Sequence, residues 1–442
     1  MMKIFIILII FFFNTNCSFD NKSGIWQNKD DAISNKNNQF KEFKPLSNIN
    51  DSFNKEVSIK KNFKFKIEKK ITNYVWSDIY FDVSNNFPNL NYTGFNNVQL
   101  KSKRLSKFET NNHILYTDNK MIITDLRGNI IIYSPNEDKI INKFNFYKKK
   151  YKHIKKYLNI SVDNDILIIS DNIGYLYALS LNTGKIIWAQ NYKIPFRSNL
   201  KIFKNKIIAA NQNNNLYFIN KEDGSVIRLI PTEEVTVNNQ FINNISLTKN
   251  STLFLNTYGT LYSVSSDSMK INWFINLNQT LDLNPSNLFS GSQIINNDRL
   301  IVVSTDKFTY VINNITGKIV FKKNFKSLIK PIITNDYLFS ITKNNLLIAL
   351  NLNNGQIIYS YNINQSIADY LNIKKKKVEF KSFYIVNDDL YVLLKNSYFL
   401  IFNIFGELKK VIKLPSKIKS FPVFINNSIF YLNTKNKIFE IN

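Results

Sequence analysis

Residues 174–188, GYLYALSLNTGKIIW, set a pattern that the rest of the chain repeats. Tyr175, Tyr177, Leu179 and Leu181 fall on one face of an extended chain, and Leu176, Ala178 and Ser180 on the other. This is the two-residue period of a β-strand. Asn182, Thr183 and Gly184 supply turn chemistry, with glycine where a tight hairpin needs a positive φ. Lys185 to Trp188 begin a returning strand. The stretch predicts a β-hairpin.

The phrase recurs with its turn in LYFINKEDGSVIR (216–228), LYSVSSDSMKINW (261–273), TYVINNITGKIVF (309–321) and LIALNLNNGQIIY (347–359). Weaker copies stand at IIIYSPNEDKIIN (130–142) and YFLIFNIFGELKKV (398–411). The turn slot is occupied by Asp138, Gly184, Gly224, Met269, Gly317, Gly355 and Gly406. These slots stand about 45 residues apart on average, the repeat length of a four-stranded propeller blade. Four residues after the slot comes a large ring in most copies: Trp188, Trp273, Phe321 and Tyr359, with Asn142 and Arg228 as exceptions. Such a ring is expected to wedge between neighbouring blades.

The two ends of the pattern are incomplete. Residues 428–442, SIFYLNTKNKIFEIN, hold two strands of a repeat without a returning one. Near the other end, residues 57–71 alternate apolar and polar, with Phe63, Phe65 and Ile67 on one face and no hairpin partner. This N-terminal strand is expected to complete the last blade and close the ring, which removes exposed sheet edges. The expected fold is therefore an all-β, eight-bladed β-propeller of four-stranded antiparallel blades, spanning residues 57–442. Residues 74–97, irregular and rich in Asn and aromatics, read as a long entry loop.

Residues 1–56 lack this pattern. Met1, Met2 and Lys3 precede ten consecutive apolar residues, Ile4 to Phe13, the form of an export signal and too short to span a bilayer as a helix. Cys17, the sole cysteine, follows directly, so no internal disulfide can form. This arrangement resembles a bacterial lipoprotein signal, with lipidation at Cys17. It departs from that pattern at Asn14, where an aliphatic residue is usual, and at Asn16, where a small one is. The expected organisation is a lipoprotein-type signal over 1–16 and a flexible polar tether over 17–56.

Net charge is +26, from 58 Lys+Arg against 32 Asp+Glu. A basic balance points towards nucleic acid or anionic membranes. Here the Lys comes with many Asn, Ile and Phe, as an AT-rich coding sequence produces, so the charge reads as compositional. The basic runs 148–156 and 374–377 read first as solvated loops, with contact to anionic lipid or an acidic partner as the functional alternative. The export signal argues against a nucleic-acid partner.

Recognisable catalytic patterns are missing. The two histidines, His113 and His153, stand on different repeats without metal-ligand spacing. No nucleophile elbow, phosphate-binding loop, dinucleotide turn or calcium loop occurs. No catalytic, cofactor-binding or metal residue is therefore nominated. Two loops between repeats, 231–241 and 279–290, carry the acidic residues Glu233, Glu234 and Asp282 in an otherwise basic chain. Loops on a rigid scaffold are where binding tends to sit.

LYALSLNTGKIIW, with its echoes TGKIVF and NNGQIIY, resembles the PQQ-like β-propeller repeat, over roughly residues 110–442. Two branches of that family bear on function. Quinoprotein dehydrogenases are larger, bind quinone and calcium, and often carry adjacent cysteines; this chain has one cysteine. The BamB branch comprises lipid-tethered, non-catalytic propellers that bind the periplasmic domains of a BamA-type barrel subunit. Signal, lone cysteine, tether, length and blade number resemble the second. That resemblance implies a non-enzymatic scaffold without cofactor, monomeric within its complex, lipid-anchored at the periplasmic face of the outer membrane. It also implies partner contacts in the loops between central blades, here Glu233, Glu234, Leu281, Asp282 and Leu283. The family's arginine has no counterpart in either loop. A quinone-dependent enzyme and a propeller binding a sugar or peptide remain as alternatives.

Overall fold

The computed structural model describes residues 53, 55–147, 151–234, 243–278 and 289–442, and the backbone of 17–19 and 26–28. It divides into two units, Met1–Asn50 and Asp51–Asn442. In the first, Cys17–Phe19 pairs antiparallel with Trp26–Asn28. The expected signal and the remainder of the expected tether up to residue 52 lie outside the described residues.

The second unit is an eight-bladed β-propeller. Blade 1 consists, from the axis outwards, of Thr110–Thr117, Lys120–Asp125, Asn129–Ser134 and Lys139–Asn145. Residues 159–191, 201–230, 244–276, 295–323, 332–362 and 380–413 form blades 2 to 7 in the same order. Blade 8 contains Val423–Ile425, Ser428–Leu432 and Ile438–Ile441. Its outermost strand is Val98–Lys101, paired antiparallel with Ile438–Ile441. An N-terminal strand does close the ring, but it is this one and not the alternating stretch 57–71.

That stretch alternates for a different reason. It runs across blades 6 and 7 and buries one face against them. Val57 bridges Ser360, and the Phe65 ring lies 4.9 Å from Tyr337, 6.2 Å from Tyr359 and 5.7 Å from Phe405. Ile59, Phe63, Phe65 and Ile67 are all partly buried against the core. Alternation reports one-sided burial and says nothing of what covers that side.

Within a blade the two faces of the middle strands meet different neighbours. Tyr177 and Leu179 join a cluster with Ile131 and Tyr133 of blade 1. Leu176 and Ala178 join one with Phe196, Ile207 and Ile219 of blade 3. All four are fully buried. The two-residue period of 174–181 therefore separates one blade interface from the next. The outermost strands face water, as Ile186 and Ile187 do. One helix occurs among the described residues, Ile363–Leu371, in the connection from blade 6 to blade 7. The side chain of Asn362 accepts the Gln365 N–H at its start, and Asn372 ends it at φ 51°.

All seven predicted turn slots adopt a positive φ, from 45° at Asp138 to 87° at Gly406. In each of blades 2 to 6 the slot N–H donates to the carbonyl four residues back, as Gly184 does to Ser180 at 2.8 Å and Met269 to Ser265 at 2.8 Å. The wedge predicted from the large rings is also present. Trp188 lies over Gly224 of the next blade and its Nε1 donates to the Lys221 carbonyl at 2.8 Å. Trp273 does the same over Gly317, donating to Asn314 at 2.9 Å. Phe321 and Tyr359 cover Gly355 and Gly406. A Cβ on Gly224 would stand 2.5 Å from the Trp188 ring. Among blades 1 to 6, the one whose wedge residue is not a flat ring or short amide, blade 3 with Arg228, is followed by the one non-glycine slot among blades 2 to 7, Met269.

Gly224→Ala combines a left-handed conformation with overpacking. It is expected to lower stability by roughly 2–4 kcal/mol, read from the urea midpoint at unchanged slope. An effect under about 0.5 kcal/mol, the range of an ordinary surface substitution, would contradict the wedge.

Candidate functional site

In blades 1 to 7 the chain runs from inner strand to outermost, and from the outermost strand of blade 8, Val98–Lys101, it passes to the innermost strand of blade 1. The outer-to-inner connections therefore share one face of the disc, called here the entry face. The turns that follow the innermost strands share the other. The central channel between them is closed by the chain itself.

Residues 72–90 run once around the inside of the channel and meet each blade in turn. Thr72 and Asn73 bond blade 8, through Asn427 Oδ1 and the Phe424 carbonyl. Trp76 exchanges two backbone hydrogen bonds with Tyr116 of blade 1, and the Ser77 carbonyl accepts from Val162 of blade 2. Lys201 of blade 3 reaches Asp78 and Asn85. The Val83 carbonyl accepts from Leu247 of blade 4. Asn85 Nδ2 donates to the Ile245 and Ile294 carbonyls of blades 4 and 5, at 2.9 Å each. Asn86 makes a two-way pair with Ile333 of blade 6, at 2.8 and 3.0 Å. Asn89–Leu90 adds parallel to Phe380–Val386 of blade 7, and Ile71 adds in turn to Leu90. The expected entry loop is thus an internal girdle. Its irregular backbone would leave polar groups unpaired in the channel. The asparagine amides, donor and acceptor at once, supply the partners. An Asn-rich stretch without strand period was the signal for it.

At the centre of the girdle, Lys201 Nζ donates to Asp78 Oδ2 at 2.8 Å, the Asp82 carbonyl at 2.7 Å and Asn85 Oδ1 at 2.5 Å. Both charged side chains are buried, so all three ammonium donors are used where no water can replace them. Burial outweighs the attraction of Lys201 and holds the Asp78 carboxyl above its ordinary value.

Towards the entry face the girdle forms the floor of a cup of about 190 Å³. Trp76, Ile79, Tyr80 and Phe87 come from the girdle; His113, Lys330, Lys381, Tyr384 and Phe421 come from the inner strands and the connections leading into them. The cup carries cations and rings and no carboxylate. It does not suit a metal ion, and no group of three or more His, Cys, Asp or Glu among the described residues could hold one. Buried carboxylates elsewhere serve turns: Asp171 Oδ1 accepts the N–H groups of Ile173, Gly174 and Tyr175, each at 2.8 Å.

Of the residues nominated for partner contact, Glu233 is engaged within the propeller. Its carboxylate accepts from Asn256 Nδ2 at 2.6 Å, Thr260 Oγ1 at 2.9 Å and the Tyr262 hydroxyl at 2.7 Å. Burial raises its pKa, but these donors together outweigh burial and leave it below the ordinary 4.5. Glu234 is exposed next to it. Leu281, Asp282 and Leu283 lie outside the described residues, and so do Lys148 to Lys150 of the first basic run. Lys374 to Lys377 are exposed on the entry-face connection that follows the helix.

Two outcomes follow for stability. Asp78→Asn leaves the Lys201 charge buried without its counter-ion and is expected to cost about 3–5 kcal/mol in urea unfolding. Glu233, with its folded pKa depressed, contributes fully at neutral pH and loses that contribution as pH falls through and below 4.5. Glu233→Gln should therefore lower stability at pH 7 more than at about pH 3; an equal loss at both would show that the ionised carboxylate is not what the three donors hold.

Known structures share this architecture. BamB from Moraxella catarrhalis superposes at a TM-score of 0.61 with 12% identity, over 78% of this chain and 100% of its own. The quinohemoprotein alcohol dehydrogenase of Comamonas testosteroni gives 0.59 at 10% identity, over 84% and 81%. A europium-containing methanol dehydrogenase gives 0.56 at 11%, over 83% and 89%. At these identities the likeness concerns the fold alone. No curated protein matches the sequence. One family model does match, over residues 127–361 and so over just more than half of the chain, and by it this protein belongs to the family of the outer membrane protein assembly factor BamB.

Proposed function

We propose that this protein is a non-catalytic scaffold of the outer-membrane β-barrel assembly machinery, binding the periplasmic domains of a BamA-type barrel subunit. In this reading Cys17 carries the lipid, and the propeller stands at the periplasmic face of the outer membrane. Family membership supports the assignment. The observation that carries the scaffold role is the girdle. A chain that bonds its own residues 72–90 to all eight blades makes one rigid ring and fills one end of its channel with backbone. Rigid rims, and not a deep catalytic cleft, are then what it presents to other proteins. Glu234, on the connection that follows blade 3, and the inter-blade positions Leu281, Asp282 and Leu283 are the residues we assign to the partner.

The decisive experiment is affinity capture of the tagged protein from gently solubilised envelopes. A large outer-membrane barrel with periplasmic repeat domains should co-purify in stoichiometric amount. Changing Leu281, Asp282 and Leu283 together to Ala should reduce that capture at least tenfold while the urea midpoint stays unchanged. Full capture by the triple variant would remove the loop assignment, and recovery of the propeller alone from the parent protein would remove the scaffold reading.

A further inference from the structure

The cup on the entry face has a composition that a scaffold does not need. Its walls are rings: Trp76, Phe87, Tyr384 and Phe421 all line it. Its two ammonium groups make no direct ion pair with a carboxylate among the described residues. Lys330 Nζ donates to the Asn85 carbonyl at 2.5 Å and weakly to the Tyr80 carbonyl at 3.4 Å, and sits 3.2 Å from the centre of the Phe87 ring. Lys381 Nζ donates to the Lys419 carbonyl at 2.7 Å and lies 5.0 Å from the Phe421 ring centre. Among the described residues no carboxylate comes within ion-pairing distance of either. Carbonyl dipoles and ring faces attract a cation but do not neutralise it, and both side chains are half-buried, where an unpaired charge costs more than in open water.

We propose that the cup binds a small organic acid built on a single aromatic ring, with the ring against the aromatic wall and the carboxylate on Lys381 and Lys330. The cup lies below the roughly 300–1,000 Å³ of pockets that take drug-sized ligands, which limits the occupant to about one ring. A carboxylate has one charge to desolvate, and its two oxygens can each accept from an ammonium. The charge environment agrees with the geometry. Burial lowers the Lys330 pKa well below 10.5; Asp82 and Asp78 oppose this, and Lys201 adds to it. Burial, then Lys395 and Lys419, brings Lys381 down to about 8. Burial takes His113 to about 4, so its ring, stacked 4.9 Å from Phe421, is a neutral part of the wall at pH 7. An anion in the cup would be the direct ion-pairing partner that neither ammonium has among the described residues.

Benzoate is the probe, titrated calorimetrically into the purified full chain at physiological salt, with benzyl alcohol as the uncharged ring of the same size. Saturable one-to-one binding of benzoate is expected, with benzyl alcohol at least tenfold weaker. Lys381→Gln should weaken benzoate at least tenfold, and Ile329→Trp, at a residue that also lines the cup, should fill it and abolish binding while the circular dichroism spectrum is retained. A variant with Lys374, Lys375, Lys376 and Lys377 all changed to Gln tests for attraction to the basic surface and should bind as the parent does. The proposal is overturned by absent benzoate binding, by equal binding of benzyl alcohol, by binding that survives Ile329→Trp in a folded protein, or by loss in the quadruple surface variant alone.

Discussion

Two-sided burial is the constraint on which this structure depends. The middle strands of each blade are apolar on both faces, so a blade taken alone would expose two large hydrophobic surfaces. Each blade is stable only between two others, and a line of blades always leaves two that are not. Ring closure resolves this, and Val98–Lys101 on blade 8 ties the two ends of the chain into one sheet. The glycine slots follow from the same demand. Neighbouring blades approach so closely at their outer turns that the Trp188 and Trp273 rings lie directly on the backbone of the next blade.

The girdle extends the closure from the rim to the axis. Eight innermost strands around a common axis leave a channel whose walls carry unpaired polar groups, and residues 72–90 satisfy these blade by blade. The buried Lys201–Asp78 pair fixes where the girdle turns. In the same act the girdle sets the depth of the cup, since Trp76, Tyr80 and Phe87 are its floor. The closure of the ring at its axis and the existence of the cup thus have one origin.

How much of this was legible in the sequence depended on how local each signal was. The turn slots could be read because a hairpin is written within about a dozen residues, and all of them, Asp138 and Met269 included, adopt the conformation that glycine marks. The wedge could be read from the four-residue spacing to Trp188, Trp273, Phe321 and Tyr359. The closing strand was assigned to the wrong stretch because VQLK at 98–101 has too few residues to show a period, while 57–71 has a clear one for another reason. The cup was not legible, and of the girdle only the Asn-rich, aperiodic composition was. Their bonds join residues far apart in sequence, and Lys330 and Lys381 look like any of the 58 basic residues. The carboxylate of Glu233, read as available to a partner, is held by three donors from its own propeller.

The girdle also dictates an order of events. It precedes every blade in the chain, yet its bonds reach forward to Lys201, Ile333 and Asn427, up to 355 positions later. During synthesis its amides and carbonyls emerge before any of the strands that will pair with them. Such long-range pairing is slow to form, because loop closure must precede the contacts that reward it. The girdle is therefore made first, yet its bonds cannot be complete until the last blade in the chain has been made.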